Sequence, residues 1–355
     1  VEDKVNSIKK IIGGISVLDS KIMDAAQERL NNLTKPIGSL GRLEELAKQI
    51  VGITAKENPP MKNKVIFTLA ADHGVTEEGV SPYPKEVTAQ MVYNFINGGA
   101  GINVLARYVG ARVVIADMGV AEDLKASKEL VIKKINYGTK NIAKGPAMSR
   151  EEAVRSIEAG IEIFENEFLK GIDIIGIGEM GIGNTTASSA IVRVFTAKSL
   201  EDITGRGAGL DDKALVNKIK IIECSIEVNE PNPKDAIDVL AKIGGFEIGG
   251  LAGIILAAAN RKVPVVIDGF ISGAAALIAY QLEPNSKNYM IPSHCSVEKG
   301  HKVILDYIGI KPLFDLNMRL GEGTGAALGI NLAEASIKIL TEMATFKSAN
   351  VSQKE

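Results

Sequence analysis

"GIDIIGIGEMGIGNTT", residues 171–186, holds the pattern that decides the fold. A short apolar run rich in isoleucine ends in glycines and an acid, Glu179, and a Ser/Thr-rich stretch of helical character follows. The run does not alternate with polar residues, so it reads as a strand buried on both faces, as in a parallel sheet covered by helices. The same form recurs in "KVIFTLAADHG" (64–74), "ARVVIADMG" (111–119) and "VPVVIDG" (263–269), with "NYMIPS" (288–293) as a further candidate strand. Helical stretches are expected between them at 84–97, 101–109, 150–168, 184–197, 212–228, 234–241, 248–260, 270–281 and 296–308. This alternation predicts an α/β fold, a doubly wound, mostly parallel Rossmann-like sheet. Ligands of such sheets bind beyond the carboxyl ends of the strands, so the acid-and-glycine strand ends mark the rim where chemistry is expected.

The chain ends differ from this core. "DSKIMDAAQERLNNL" (19–33) and "GSLGRLEELAKQIVGIT" (38–54) are amphipathic helices with no strand between them. A helix over 327–346 carries Leu328, Leu332, Ala335, Ile339 and Met343 along one side. The expected division is a small helical subdomain from residues 1–60 and 327–355, and an α/β catalytic domain over 61–326. The tail "KSANVSQKE" (347–355) is expected to fray.

Composition narrows the function. The 355 residues are 46% hydrophobic and 24% charged, an ordinary globular profile, and 41 basic against 43 acidic side chains leave a net charge of −2. That balance, with no long basic block, gives no support to nucleic-acid or anionic-membrane binding. The apolar run "GGLAGIILAAA" (249–259) is too short to cross a bilayer. Two separated cysteines, Cys224 and Cys295, and three histidines show no metal-ligand spacing, so no metal site is expected and a reduced cytoplasmic interior fits best.

Within residues 176–186, Gly176-x-Gly178-x-x-Gly181 invites a dinucleotide reading. That reading needs a second strand with an acidic end about twenty residues on. "TAKSLEDITGRGAGLDDKALVNK" (196–218) contains none. A phosphate cradle fits better, because glycines leave backbone N–H groups free and Asn184, Thr185 and Thr186 are good N-cap residues. A packing turn fits equally well at this point. "RLGEGTGAALG" (319–329) repeats the arrangement, with Glu322 between glycines at a helix start. A carboxylate in an apolar pocket becomes a general base once its pKa rises.

Taken together, the motifs resemble those of the nicotinate-nucleotide:dimethylbenzimidazole phosphoribosyltransferase family. They run in the family's order: "TKPIGSLGRLE" (34–44), "ADHGV" (71–75), "SPYPKEVTAQMVYNF" (81–95), "GGAGINVLAR" (98–107), "GIGEMGIGNTT" (176–186), "GRGAGLDDKALVNK" (205–218), "GGFEIGGLAG" (244–253), "DGFISGAAAL" (268–277), "SHCSVEKGH" (293–301) and "RLGEGTGAAL" (319–328). The resemblance implies transfer of 5-phosphoribose from nicotinate mononucleotide to 5,6-dimethylbenzimidazole, with inversion, in assembly of the cobalamin nucleotide loop. It also implies a homodimer that uses no cofactor.

By the same resemblance Glu322 is the base that takes the azole proton; Glu179 is similarly placed to approach the ribosyl centre or its hydroxyls as positive charge develops there. Ser81, Tyr83, Gln90 and Met91 are expected around the benzimidazole, and Leu320, Gly321 and Gly323, beside the base, are also expected to bind substrate. Gly181, Gly183, Gly207 and Gly209 are implied as close-approach backbone for the 5′-phosphate, with Lys218 and Ser296 adding side chains. For Lys218 an exposed position on helix 212–228 stands as the alternative. Asp72, Asp117 and Asp268 are expected to hold loops, and His73 and His294 to be satisfied loop histidines. Two competing functions are a nicotinamide-dependent oxidoreductase and a non-catalytic nucleotide sensor.

Overall fold

The computed structural model describes residues 8–352. Six strands form one sheet: β1 (Lys64–Ala71), β2 (Ala111–Gly119), β3 (Leu130–Ile132), β4 (Ile174–Met180), β5 (Val265–Ile267) and β6 (Met290–Pro292). Their order is β3-β2-β1-β4-β5-β6, and every neighbouring pair is parallel. Helices α1 (Ser20–Asn32) and α2 (Arg42–Thr54) precede β1, and α3 (Val87–Ile96) and α4 (Gly101–Val109) join β1 to β2. Helix α5 (Arg150–Phe168) joins β3 to β4. Five helices then pass before β5 without a strand: α6 (Asn184–Thr196), α7 (Leu200–Ile203), α8 (Asp212–Asn229), α9 (Ala236–Ile243) and α10 (Phe246–Asn260). Helix α11 (Phe270–Leu282) leads to β6, and α12 (Lys299–Ile308), α13 (Thr324–Glu342) and α14 (Phe346–Ala349) complete the chain.

The unbroken apolar runs are explained by what covers them. Along β1, Val65, Phe67 and Leu69 enter one apolar cluster with residues of α5, α6, α10 and α11, such as Ile157, Ile191, Ile254 and Leu277. Ile66 and Ala70 enter the other, with Leu30, Leu46 and Ile50 from α1 and α2 and Ile330 and Ile337 from α13. Both faces of the strand are therefore covered by apolar side chains. The helices of the two chain ends meet on this second face. Arg29 donates to the carbonyl of Thr341 at 3.2 Å, and the backbone at Leu33 bridges to Thr345.

Two details depart from expectation. β3 is a three-residue edge strand, too short for its pattern to stand out. Residues 347–349 of the tail continue a helical turn that starts at Phe346, because Thr345 caps it by accepting from the Ser348 N–H at 3.1 Å. Residues 353–355 of that tail, and 1–7 of the expected helical subdomain, lie outside the described residues.

The strand order reverses direction between β1 and β4, and crevices open at such switch points. Leu69 stands beside Glu179 in the register there, so β4 delivers that acid to the rim.

Candidate active site

Beyond Glu179 the chain turns through Gly181 and Gly183 into α6. The expectation that Asn184, Thr185 and Thr186 supply the cap is corrected: Gly183 is the N-cap, at φ 93°, and Asn184 is already the first helical residue. Such a φ suits a residue without a side chain. It also frees the Asn184 amide, which donates to the Glu179 carboxylate.

The second glycine turn docks directly onto the first. Glu322 has φ 64°, a left-handed conformation that a side-chain-bearing residue adopts only when held there. The holding groups are visible. Thr68 on β1 donates to the Glu322 carbonyl at 2.9 Å. Asp268, just past β5, accepts from the N–H groups of Gly323 (3.0 Å), Gly325 (2.7 Å) and Ala326 (3.1 Å), capping α13 and pinning the turn. A Cβ on Gly178 would lie 2.2 Å from the Gly323 nitrogen, so β4 must carry glycine for the turn to reach it. The Glu322 carboxylate accepts the Ile102 N–H at 3.0 Å, in the first turn of α4.

Both glutamates line one cavity of about 670 Å³. Ser81, Tyr83 and Met91 line it as well, with Gly181, Gly183, Gly207, Ser296, Leu320 and Gly321. The other four candidates sit elsewhere. Gln90 is on the exposed side of α3 and is not part of the wall. Gly209 lines an adjoining pocket that shares Gly207, Glu298 and Arg319 with the cavity. Gly323 lies behind Glu322, bonded to Asp268.

Lys218 is 0% exposed, which removes the solvated-helix alternative. Its ammonium donates to the Thr185 hydroxyl at 2.8 Å, and Thr185 lines the cavity. In sequence Thr185 looks like a helix cap, and its part in a lysine–threonine pair leaves no local signal across 33 residues.

The sequence reading also missed the apolar walls. Val80, Val87, Ile182, Phe270 and Ile271 line the cavity from a loop, the turn after β4 and helix starts, where they look like any core residue. The loop aspartates behave as expected. Asp117 accepts from the N–H groups of Gly119 and Val120, and Asp72 from that of Ala121. His294 lines the cavity, with Nδ1 3.1 Å from the Ser293 hydroxyl.

The charges are unusual for a site this size. Burial pushes Glu179 up to about 8, helped by the charges of Glu247, Asp268 and Glu322 and opposed by the Asn184 hydrogen bond. Asp268 is driven up to about 7 by burial, against the pull of its three backbone donors. Burial raises Glu322 too, but the N–H groups of Ile102 and Gly101 pull the other way. Lys218 is lowered by burial to about 8, with Glu298 acting to keep it charged. A site so arranged can receive a proton at one acid and stabilise positive charge with another. Among the described residues, no group of three or more His, Cys, Asp or Glu is placed to hold a metal ion. No described helix is long and apolar enough to cross a membrane.

Comparison with known proteins agrees with this picture. A family model described as phosphoribosyltransferase matches residues 15–351. The nicotinate-nucleotide–dimethylbenzimidazole phosphoribosyltransferase of Geobacter sulfurreducens is 54% identical over 346 residues, covering 98% of each chain. The protein of the same name from Desulforudis audaxviator is 56% identical, again over 98% of each. The crystal structure of CobT from Thermus thermophilus superposes with a TM-score of 0.91 at 38% identity, covering 94% of this chain and all of that one. The chain belongs to the nicotinate-nucleotide–dimethylbenzimidazole phosphoribosyltransferase family.

Proposed function

We propose that the protein transfers the 5-phosphoribosyl group of nicotinate mononucleotide to 5,6-dimethylbenzimidazole, giving α-ribazole 5′-phosphate and nicotinate. The observation that carries this reading is the pair of interlocked glycine turns, which present two acids to one largely apolar cavity. A flat, nearly neutral azole suits walls such as Val80, Val87, Met91 and Phe270. Its ring N–H needs an acceptor, and Glu322 supplies one. As the other ring nitrogen bonds to C1′, the C1′–pyridinium bond breaks and its electron pair returns to the nicotinate ring. The azole proton passes to the Glu322 carboxylate. The leaving group departs from a cation, so it needs no proton. Attack opposite to it inverts the anomeric centre. Glu179, as an anion, faces the positive charge that builds on the ribosyl ring.

The 5′-phosphate is assigned to the backbone at Gly181, Gly183, Gly207 and Gly209, with Ser296 and the Thr185 hydroxyl as side-chain donors. Lys218 supplies positive charge from behind Thr185. A bound phosphate favours its ammonium form. Residues 1–60 with 327–355 are proposed as a small helical subdomain over a catalytic domain of 61–326, and two chains as a homodimer. The oxidoreductase reading lacks its ribose-binding second strand, since helices fill the chain from α6 to α10.

The test is incubation with nicotinate mononucleotide and dimethylbenzimidazole. Nicotinate release with an α-linked product is expected, and no release, or a β-linked product, rejects the reading.

A further inference from the structure

A third glutamate among glycines lies behind the cavity. Residues 244–250 read "GGFEIGG", and Glu247 stands in the first turn of α10, completely buried. Its Oε1 is 2.7 Å from Nε2 of His73, while its Oε2 is buried with no hydrogen-bond partner. Burial opposes a charge on His73, but Glu247, and behind it Asp72, outweigh that and raise its pKa. Removing an acid and a histidine from water costs several kcal/mol unless the pairing is close, and a packing role would be served by apolar residues.

The pair reaches the site through one turn. A Cβ on Gly181 would lie 2.4 Å from the Ala71 carbonyl, 3.3 Å from the Asn184 amide nitrogen and 3.4 Å from Oε1 of Glu247. The amide that holds Glu179 and the carboxylate of Glu247 thus crowd the same face of the same glycine.

We propose that Glu247, held by His73, is a positioning residue for the phosphoribosyl transfer, setting the charge on Glu179 from behind the Gly181 turn. This rests on the reading of the cavity given above. Glu179 keeps its proton in the empty site and releases it to solvent when the cationic pyridinium donor lies against it. The anion is then in place before C1′ gains positive charge.

The groups that face Glu179 are Glu247 from α10, Asp268 from the end of β5, Glu322 from the turn before α13 and the Asn184 amide from α6. Asp268 is committed to capping α13, and Glu322 to the acceptor's proton. Glu247 has neither task, yet after burial it is the largest influence keeping Glu179 protonated.

The experiment compares the pH dependence of kcat/KM for nicotinate release in the wild type and Glu247→Gln, and again with both carried in a Glu179→Gln background. With Glu179 present, Glu247→Gln is expected to move the acidic limb down by at least about one pH unit, because at an effective dielectric near 20 two unit charges interact by that much even when about 12 Å apart. In the Glu179→Gln background the limb belongs to Glu322 and is expected to stay put. Glu247→Asp keeps the charge and restores the wild-type limb. No shift in either background, the same shift in both, or a displaced limb in Glu247→Asp overturns the proposal. If Glu247→Gln does not fold, the wild type decides. With three histidines in the chain, the His73 ring resonances must inflect where Glu179 ionises and lose that inflection in Glu179→Gln; an unmoved His73 overturns it. An enzyme that never releases nicotinate refutes the transfer reading instead, whereas an active enzyme without these shifts refutes only the role of Glu247.

Discussion

The turn that follows β4 and the turn that precedes α13 are written alike, a glutamate between glycines at the mouth of a helix, yet they hold that glutamate differently. Glu179 is the penultimate residue of a central strand, so its backbone is fixed by the sheet and its carboxylate depends on one side chain, the Asn184 amide. Glu322 sits outside any strand at φ 64°, its carboxylate bonded to a main-chain N–H of α4. The first acid is crowded by three others and driven up to about 8, while backbone donors restrain the rise of the second. Equal sequence devices give unequal acids, and the inequality suits a site that needs one ready base and one group whose charge appears on demand.

The sharpest way to break this comparison is to remove the base. Glu322→Ala and Glu322→Gln are both expected to cut turnover at least about tenfold, and by as much as the about 10²–10⁴ that general-base catalysis supplies. Binding of nicotinate mononucleotide, followed by calorimetry, is expected to persist, because the acid acts on the acceptor's proton. Unchanged turnover in both variants removes Glu322 from the role.

The next test separates the two turns mechanically. Gly178→Ala drives a methyl group into the backbone of Glu322 and Gly323, which cannot move without releasing Asp268. A loss of about 1–3 kcal/mol is expected from overpacking, with a fall in turnover beyond what stability explains. Denaturant unfolding and steady-state rates measure the two parts. An alanine tolerated in both would mean that the turns are neighbours without being interlocked.

How far the sequence carries this comparison depends on the kind of contact involved. β1, β2, β4 and β5 were legible because burial on both faces leaves an unbroken apolar run, whereas β3, three residues at the sheet edge, leaves almost no pattern. The two acids were legible because glycines on either side of a charged residue are unusual in any packed element. Glu247 carries the same mark, but nothing in "GGFEIGG" says that its partner is His73, 174 residues away. The burial of Lys218 was hidden for a similar reason: a lysine in a polar helical stretch reads as solvated until Thr185 and the cavity behind it are in view. Phe270 and Ile271 open a helix that is buried nearly throughout, and only the position of the rim turns them into a wall.

Stability measures the charge difference without any turnover. The folded-state pKa of Glu179 is raised from 4.5 to about 8, so the folded protein holds this proton more tightly than the unfolded chain. Its contribution is fully present below about pH 4.5 and is lost as pH rises toward 8. Glu179→Gln cannot ionise, so it is expected to gain up to about 4 kcal/mol in stability relative to the wild type between pH 5 and pH 9. Parallel urea midpoints across that range check it. A difference that does not change with pH would mean that Glu179 is no harder to ionise in the folded protein than in the unfolded chain.

The smallest effect probes the donors themselves. The N–H that serves Glu322 belongs to the backbone of Ile102 and cannot be deleted by changing a side chain, whereas the one serving Glu179 can. Asn184→Ala removes the single hydrogen bond that favours the Glu179 anion, and a bond of that kind contributes about 0.5–1.5 kcal/mol. Glu179 then ionises less readily, and kcat/KM near neutral pH is expected to fall about two- to tenfold, with recovery as pH rises and the anion returns. Asn184→Asp adds a fourth acid beside Glu179 in place of the amide and is expected to move the same limb further upward. A loss that is flat across pH in both variants would mean that Asn184 only shapes the turn, and that Glu179, like Glu322, draws its charge from the backbone around it.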